Sequence, residues 1–262
     1  MSLTRAQIHS LADELRAAAR TRVPVAPLSA RVPGLTAADA YAIQLENIRE
    51  RRAAGAVIRG HKVGLTSRAM QEMLGVREPD YGHLLDDMLL ADGSTVPIER
   101  FVQPRVEVEI AFRLGRTLKG PGVEAGDVLA ATDAVAPSIE IIDSRIADWK
   151  IGLTDTIADN ASSAAVVTGR WILLREAPPL GGIAAELMLD GTLEASGRGA
   201  DVLGDPARAV AWLANALAAF DTALEAGHVV MPGSCTKAIT VRAGSRVEGR
   251  FAGLGSVSVT FA

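Results

Sequence analysis

The feature that most restricts the fold of this chain is a change of sequence pattern near residue 57. Before that point, apolar residues recur at helical spacing, and after it short apolar runs are separated by glycine. Short runs bounded by turn residues are typical of strands. The pattern therefore predicts an α+β fold, with an N-terminal helical segment over residues 1–56 and a β-rich domain over residues 57–262.

The N-terminal segment carries signals for two helices. The first, over residues 4–20, is predicted by an apolar stripe at spacings of three and four residues. The residues of this stripe are Ile8, Leu11, Leu15 and Ala18. The second helix is predicted to begin at Thr36, because Asp39 follows three positions later as in a capping box. Gly55 is its predicted stop.

The second domain is predicted to consist mainly of strands. They are expected over residues 57–66, 84–90, 95–98, 105–114, 135–143, 164–169 and 184–190, with three short strands after residue 227. The turn Ala-Asp-Gly-Ser at residues 91–94 predicts a hairpin between 84–90 and 95–98. Helices are expected over 67–74 and 125–133, and from Asp205-Pro206, a good N-cap followed by proline.

Composition excludes several functional classes. The formal charge is −4 with both signs interspersed, which lacks the basic stripe of a nucleic-acid binder. The single cysteine, Cys235, forms no internal disulfide and fits a reducing compartment. The N-terminus is charged where a signal peptide needs an apolar stretch. The longest apolar segment, residues 210–224, contains Asn215 and Asp221, so no membrane association is expected. These features predict a soluble, cytoplasmic protein.

Two acids share one face of the predicted strand 105–114. Strand alternation places Glu107 and Glu109 on the same side, about 7 Å apart along the strand. Carboxylates at that distance repel each other unless a cation lies between them or water screens them. A solvated face balanced by Arg105 and Arg113 and a metal site both remain open at this point.

A third acid lies where a strand should be buried. Glu140 is flanked by isoleucines, and an unpaired carboxylate there needs a metal, a cationic partner or a proton. A salt bridge to an arginine is the alternative to a metal. Three carboxylates without nearby histidine or cysteine form a hard oxygen site, which suits Mg²⁺ or Mn²⁺ better than zinc. An open octahedral ion would leave positions for a bidentate 2-oxo acid.

Lys62 is the candidate proton-transfer residue. Glycines at 60 and 64 flank it and permit close approach of a ligand or another backbone. A lysine beside a partly dry pocket can have a lowered pKa and exchange protons near neutrality. A surface lysine extending from a strand is the alternative. His61 must point to the opposite side of the strand, so only one of the two faces the site.

Three further residues have two interpretations each. Asp80, in a turn-like segment, is either a turn former or a second proton-transfer group. Ser162, in a loop rich in short polar side chains, is either part of a capped loop or a ligand for a substrate carboxylate. Cys235 could be a nucleophile, but no histidine is nearby in sequence and free cysteines are mostly buried packing residues.

Dinucleotide and phosphate-loop motifs are missing from the sequence, which leaves nucleotide cofactors unsupported.

Several segments resemble one enzyme family in the same order along the chain. They are GHKVGLTSRAMQEMLGVREPDYGHLLDDM, QPRVEVEIAFRL, APSIEIIDSRIADWK and DTIADNASS. The chain thereby resembles the 2-keto-4-pentenoate hydratases (2-hydroxypenta-2,4-dienoate hydratases) of the meta-cleavage pathways that degrade aromatic and steroid rings. The resemblance implies the fumarylacetoacetate-hydrolase-like fold, a mixed β-structure around the active site, in cytoplasmic homo-oligomers.

The family's metal ligands fall on Glu107, Glu109 and Glu140 of this sequence, which implies a bound Mg²⁺ or Mn²⁺. Its strand lysine falls on Lys62. The implied reaction is the addition of water to a small 2-hydroxy-dienoate, which gives a 4-hydroxy-2-oxo acid. The N-terminal helices would form a lid or an oligomer contact.

The same resemblance assigns the aspartate of the family's Pro-Asp-Tyr/Phe-Gly turn to Asp80 and its loop serine to Ser162. The related 4-oxalocrotonate decarboxylases share the fold, the glutamates and the lysine, but tend to carry an apolar residue at the position of Asp80. Decarboxylation of a 2-oxo-enedioate is therefore the alternative reaction, and a dicarboxylic hydratase substrate is also open. A third alternative is a catalytically silent subunit, because hydratases and decarboxylases of these pathways associate with each other.

Overall fold

Helices α1 (Arg5–Thr21) and α3 (Ala37–Ala53) form an N-terminal layer with the short helix α2 (Leu28–Arg31) between them. The structure is a computed structural model that describes residues 2–66, 71 and 78–262. Both predicted helices are present, and the capping box of Thr36 and Asp39 forms as expected. The apolar stripe of α1 is largely buried and packs with residues of α3. The helix predicted over 67–74 lies outside the described residues, apart from residue 71.

Three further α-helices lie entirely within the described residues after position 78. They are α4 (Ala125–Ala131), α5 (Leu153–Ala158) and α6 (Pro206–Leu217). The N-cap predicted for α6 is confirmed, since the side chain of Asp205 accepts a hydrogen bond from the backbone of Ala207 at 2.8 Å. None of the helices in the described part of the chain has the length and hydropathy that a membrane-spanning segment requires.

Fourteen strands lie in the described residues and form two sheets. The strands are β1 (Ile58–Gly64), β2 (Asp80–Leu85), β3 (Leu89–Ala91), β4 (Ser94–Val96), β5 (Arg105–Leu114), β6 (Thr132–Ile142), β7 (Ser163–Thr168), β8 (Ile172–Leu173), β9 (Ala184–Leu189), β10 (Thr192–Arg198), β11 (Val229–Met231), β12 (Ile239–Thr240), β13 (Arg246–Phe251) and β14 (Gly255–Phe261). The larger sheet has the order β2-β1-β11-β5-β6-β7-β3, with β12 beside β5 and β8 beside β6. The smaller sheet has the order β10-β9-β13-β14-β4. The predicted α+β class is confirmed.

The long antiparallel pair β5 and β6 lies at the centre of the larger sheet. One face of β5 presents Val106, Val108 and Ile110, which are fully buried in the main hydrophobic core. Gly249 of β13 lies directly against Val108, so this face packs on the smaller sheet. The opposite face of β5 therefore points away from the core between the sheets, and it carries the acidic residues.

The predicted hairpin between 84–90 and 95–98 is wrong. Strand β3 pairs in parallel with β7, whereas β4 pairs in parallel with β14 of the other sheet. The chain does turn at Gly93, whose φ of 74° suits glycine. A local turn signal cannot reveal that each flanking strand finds its partner far away in sequence. Strand β10 was not predicted, because its mostly exposed residues lack an apolar run.

Candidate metal centre and active site

Three carboxylates meet on the polar face of the central strands. In the β5–β6 pair, Glu107 lies directly opposite Glu140. Glu109 follows two residues along β5, so alternation returns it to the same face. One carboxylate oxygen from each of Glu107, Glu109 and Glu140 lies within 4.8 Å of the others. These three residues are called the acid cluster below.

The acid cluster is buried and incompletely hydrogen-bonded. Glu109 and Glu140 are fully buried, while Glu107 is partly exposed. Glu109 Oε2 accepts a hydrogen bond from the backbone N–H of Gly233 at 2.9 Å. Among the described residues, Glu109 Oε1 and both carboxylate oxygens of Glu140 have no hydrogen-bond partner. A buried carboxylate left in this state is costly unless a cation compensates it.

The pKa values of the acid cluster also indicate that its carboxylates lack a compensating positive charge. Burial and the neighbouring Glu140 raise the pKa of Glu107 to about 7. Burial, with Glu140 and Glu107, raises the pKa of Glu109 well above its usual range. No arginine of the described chain pairs with Glu140, and Arg113 pairs instead with Asp133 at 2.7 Å. Converging hard oxygens without histidine or cysteine fit a divalent ion such as Mg²⁺ or Mn²⁺.

Lys62 is the cation that the structure places beside the acid cluster. Its side chain is buried, and Nζ lies 3.4 Å from Glu140 Oε2 and donates a hydrogen bond to the carbonyl oxygen of Ala161 at 2.9 Å. Burial alone would lower the pKa of Lys62, but the surrounding carboxylates, Glu140 first and then Asp80, raise it above the usual lysine value. The expectation of a lowered pKa is therefore wrong, since it counted burial and not the neighbouring acids. Lys62 is therefore a protonated ammonium group, which the Ala161 carbonyl oxygen and Glu140 hold in position.

Asp80 lies next to Lys62 because of the β1–β2 register. It is the first residue of β2 rather than a turn residue, and it lies opposite Gly64 of β1. A Cβ on Gly64 would lie 2.1 Å from Asp80 Oδ1 and 3.5 Å from Lys62 Nζ, so the absence of a side chain makes room for both groups. Burial raises the pKa of Asp80 and Lys62 opposes that shift. A carboxyl group of raised pKa can hold or release a proton in this setting.

The loop that carries Ser162 has a strained backbone. Asn160, Ala161 and Ser162 have φ angles of 57°, 50° and 55°, a conformation that residues other than glycine seldom adopt in succession. The side chain of Asn160 anchors the loop to β2 through two hydrogen bonds with the backbone of His83. The Ser162 hydroxyl is buried and has no hydrogen-bond partner in the described chain. This backbone conformation turns the Ala161 carbonyl oxygen toward Lys62, and it leaves the Ser162 hydroxyl available for a hydrogen bond to a ligand.

A cavity of about 590 Å³ joins these groups. Lys62, Asp80, Glu107 and Ser162 line it, whereas Glu109 and Glu140 are not part of its surface. The six residues predicted from the sequence therefore lie together: four of them line the cavity, and the other two, Glu109 and Glu140, lie beside Glu107 in the acid cluster. A cavity of this size holds a small ligand.

Residues that sequence reasoning did not select also line this cavity. Arg105 and Trp149 form one side, and Lys237 lies at an exposed position. The alternation of β5 places Arg105 on the polar face, but in the sequence this position indicates only charge balance. The sequence around Trp149 contains no pattern that predicts a place in the site. Cys235 also lines the cavity, but it is buried, and burial raises the pKa of its thiol. That favours packing over a nucleophilic role.

The fold and the site define an α+β protein with a candidate site for a divalent ion, and sequence comparison gives the family. Residues 54–262 match the family described as "Fumarylacetoacetate (FAA) hydrolase C-terminal". The chain is 43% identical over 256 residues to the 2-hydroxyhexa-2,4-dienoate hydratase of Comamonas testosteroni, with 97% of each chain covered. It is 41% identical to the 2-oxo-hept-4-ene-1,7-dioate hydratase of Escherichia coli, with 96% of each covered. The chain belongs to the fumarylacetoacetate hydrolase family.

Solved structures extend the comparison. The 4-oxalocrotonate decarboxylase of Pseudomonas putida G7, complexed with magnesium and adipate, superposes with a TM-score of 0.96 at 38% identity. The match covers 100% of this chain and 99% of the decarboxylase. The fumarylpyruvate hydrolase of Pseudomonas aeruginosa, complexed with Mn²⁺ and pyruvate, has a TM-score of 0.64 at 17% identity and shows the common fold alone. The predicted fold family is confirmed.

Proposed function

We propose that this chain is a divalent-metal-dependent hydro-lyase that adds water to 2-hydroxypenta-2,4-dienoate or a close homologue. The product is a 4-hydroxy-2-oxo acid. The observation that carries the proposal is the meeting of Glu107, Glu109 and Glu140 beside Lys62 and Asp80 at one cavity. Curated hydratases about 40% identical over nearly the whole chain support it.

The acid cluster would hold the metal ion. Its hard oxygens favour Mg²⁺ or Mn²⁺. When bound, such an ion supplies Lewis-acid stabilisation of negative charge on the carboxylate and C2 oxygens of a 2-oxo acid. The partly exposed Glu107 lies on the cavity wall, so the substrate can reach the site from the cavity.

Lys62 and Asp80 are the proposed proton-transfer groups. In the first step the C2 hydroxyl loses its proton and C5 gains one, which converts the 2-hydroxy-dienoate into a 2-oxo-3-enoate. In the second step water adds to C4 and a proton is delivered to C3. The ammonium group of Lys62 can donate a proton and also attracts the negative charge of the enolate, and Asp80, with its raised pKa, can carry protons beside it.

Ser162 is the proposed ligand for the substrate carboxylate. Its hydroxyl is buried at the cavity and has no hydrogen-bond partner in the described chain, so a carboxylate oxygen would satisfy it. The anchoring of the loop by Asn160 fixes where that hydroxyl lies. This arrangement orients the carboxylate before proton transfer begins.

The test is steady-state turnover of a short substrate panel by the purified chain, with Mg²⁺, Mn²⁺ or a chelator. We expect hydration of 2-hydroxypenta-2,4-dienoate that stops on chelation and returns when either metal is added. Calorimetry of Mg²⁺ binding to the wild type and to Glu140→Gln tests the ligand set without turnover. Glu248→Gln, a surface acid paired with Arg250, is the matched control. Turnover that continues in the presence of the chelator would show that the reaction does not need a metal ion.

Decarboxylation of 4-oxalocrotonate is the second candidate reaction. The high structural similarity to the Pseudomonas putida decarboxylase favours it. Asp80 favours hydration, because it places a proton-carrying group beside Lys62. Incubating the chain with 2-hydroxypentadienoate and with 4-oxalocrotonate separates the two, since CO₂ release without hydration would reject the first reaction.

Association and location belong to the same proposal. We propose a cytoplasmic homo-oligomer that can also associate with another enzyme of a meta-cleavage pathway. Strand β10 supports oligomer formation, since it lies at the edge of the smaller sheet and most of its residues are exposed. A silent subunit remains the contrasting possibility, and turnover by the chain alone would exclude it. Light scattering gives the mass of the assembly.

A further inference from the structure

The active-site cavity has a buried acidic end and a cationic end that is open to solvent. Along β5, Glu109 is fully buried, whereas Glu107 and Arg105 are both partly exposed. Alternation places all three on one face of the strand. When the head group of a 2-oxo acid lies at the acid cluster, Arg105 lies on the cavity wall within reach of the other end of the substrate.

Arg105 is held in position at that end of the cavity. Its Cζ lies 4.5 Å from the centre of the Trp149 ring, a cation–π contact. Trp149 is itself fixed, because Nε1 donates a hydrogen bond to the carbonyl oxygen of Gln103 at 3.0 Å. Both side chains line the cavity. A guanidinium group stacked on an aromatic ring keeps its N–H edge available for an anion.

Arg105 forms no direct ion pair with the acids around it. Its charge lowers the pKa of Glu107, two residues along β5, but its guanidinium forms no ion pair or hydrogen bond with any of the described residues. Asp201, which also lines the cavity, accepts a hydrogen bond from the backbone N–H of Arg198. Lys237 adds a second cation to the lining, on the segment that leads into β12. Strand β12 runs beside Arg105. This end of the cavity therefore suits a negatively charged group.

We propose that Arg105 is the specificity-determining residue for the end of the substrate remote from the metal, and that it selects a terminal carboxylate. The preferred substrates would be dicarboxylic 2-oxo-enoates rather than monocarboxylic ones. This inference rests on the proposed hydratase function. It changes the preferred substrate from 2-hydroxypenta-2,4-dienoate, which is a monocarboxylate, to a close homologue with a second carboxylate.

The distances along the strand fit a substrate of this kind. Arg105 and Glu107 are two residues apart, which separates their Cα atoms by about 6.6 Å. That spacing is comparable with the length of a six- or seven-carbon dicarboxylate. Two relatives are associated with such molecules. One is named a 2-oxo-hept-4-ene-1,7-dioate hydratase, and the structure of the other is a complex with magnesium and adipate.

The experiment compares two substrates on the same enzyme preparation. The readout is the ratio of kcat/KM for 2-oxo-hept-4-ene-1,7-dioate to kcat/KM for 2-hydroxypenta-2,4-dienoate. A ratio is insensitive to the fraction of correctly folded protein, so a poorly folding variant still gives an answer. We expect a wild-type ratio above one, and a fall of about 10- to 100-fold in Arg105→Gln, as for loss of a charge-assisted hydrogen bond.

Two further variants sharpen this result. Arg105→Lys keeps the charge but not the planar fork, so it should retain a ratio between those of the wild type and Arg105→Gln. Arg113→Gln removes an arginine from the same face of the same strand, outside the cavity, and should leave the ratio at the wild-type value. If Arg105→Gln lowers both kcat/KM values equally, Arg105 binds the shared head group and the proposal is overturned.

A binding measurement separates failure of this proposal from failure of the hydratase function. Calorimetry with Mg²⁺ present compares adipate with hexanoate, which lacks the second carboxylate. We expect adipate to bind at least about 10-fold more tightly to the wild type, and this advantage to disappear in Arg105→Gln. Equal affinities in the wild type would overturn the role of Arg105, even if hydration is observed. Absent hydration with an intact adipate preference would reject only the hydratase reaction.

Discussion

Strand β1 has buried polar side chains on both faces, but those on one face are charged and those on the other face are neutral. On one side, Lys62 lies in a cluster of charges that includes Glu140 and Asp80. On the other, His61 packs against His83 and His228, with ring centroids at 4.8 and 5.9 Å. His61, His83 and His228 are called the histidine cluster below.

The histidine cluster is neutral. Burial lowers the pKa of His61 well below its usual value and that of His83 to about 4. The side chain of Gln44 donates to the carbonyl oxygens of Tyr81 and Ile157, so its own oxygen accepts the proton of His83 Nδ1 at 2.9 Å. The side chains on one side of the strand are thus neutral, whereas those on the other side retain charge. Buried atoms without a hydrogen-bond partner among the described residues occur on both sides, at the His61 ring and at the carboxylates. Buried ionisable groups with strongly shifted pKa values are concentrated at functional sites.

The largest effect on turnover is expected on the charged side. Lys62→Met removes the ammonium group next to Glu140 and keeps most of the side-chain volume, so kcat should fall by about 10² to 10⁴. Measurement of Mg²⁺ binding by calorimetry and of Tm shows whether the site and the fold survive. A variant that binds metal and keeps the full rate would rule out the proton-transfer role of Lys62.

A smaller loss is expected when the space between Lys62 and Asp80 is filled. In Gly64→Ala the new methyl group would lie 2.1 Å from Asp80 Oδ1, so that carboxylate must move. Displacement by about 1 Å at a catalytic group costs about 10²-fold in kcat/KM. Gly182→Ala is the control, because nothing lies within 4 Å of its added Cβ and its φ is compatible with alanine. Equal activity of the two variants would contradict the assigned position of Asp80.

Removal of the loop hydroxyl should have a more modest effect. Ser162→Ala deletes one hydrogen bond to the substrate carboxylate, which corresponds to about a 10-fold rise in KM at about 1.5 kcal/mol. The unfolding free energy should change little, since the hydroxyl has no partner in the described chain. A fall in kcat at unchanged KM would place Ser162 in the chemical step and not in binding.

The smallest effect on turnover is expected on the histidine side, where the change is in acid stability. The pKa of His83 is about 4 in the folded state, and the unfolded chain binds that proton near pH 6.5. The unfolded state therefore binds more protons as the pH falls from 6.5 toward 4, and the fold loses about 3 kcal/mol over that range. Urea unfolding at pH 7 and pH 4.5 should show a smaller loss in His83→Gln. Identical losses in both proteins would show that His83 is not responsible.

Much of the fold and of the site could be predicted because alternation and capping are local properties. The period of a strand places Glu107 and Glu109 on one face and His61 opposite Lys62, whatever partners the strands find. Charge in an apolar strand marks Glu140 as needing compensation. The resemblance of ordered motifs then gave the family, which the comparisons confirm.

Two predictions failed because the deciding partner was distant in sequence. The turn at Gly93 was real, yet β3 and β4 joined different sheets, because the pairing of strands depends on what each edge meets after the chain has folded back. The pKa of Lys62 was expected to fall with burial, and only the assembled carboxylates reverse its direction.

The sequence by itself determined which side chains share a face, because residue spacing within one strand or helix is fixed by backbone geometry. The tertiary structure alone decided the registers that bring Glu140 opposite Glu107 and Asp80 opposite Gly64. It also decided that the carbonyl oxygen of Ala161 reaches Lys62 and that Trp149 supports Arg105. Electrostatic and steric interactions depend on distance in space, and that distance is set only when remote segments pack together.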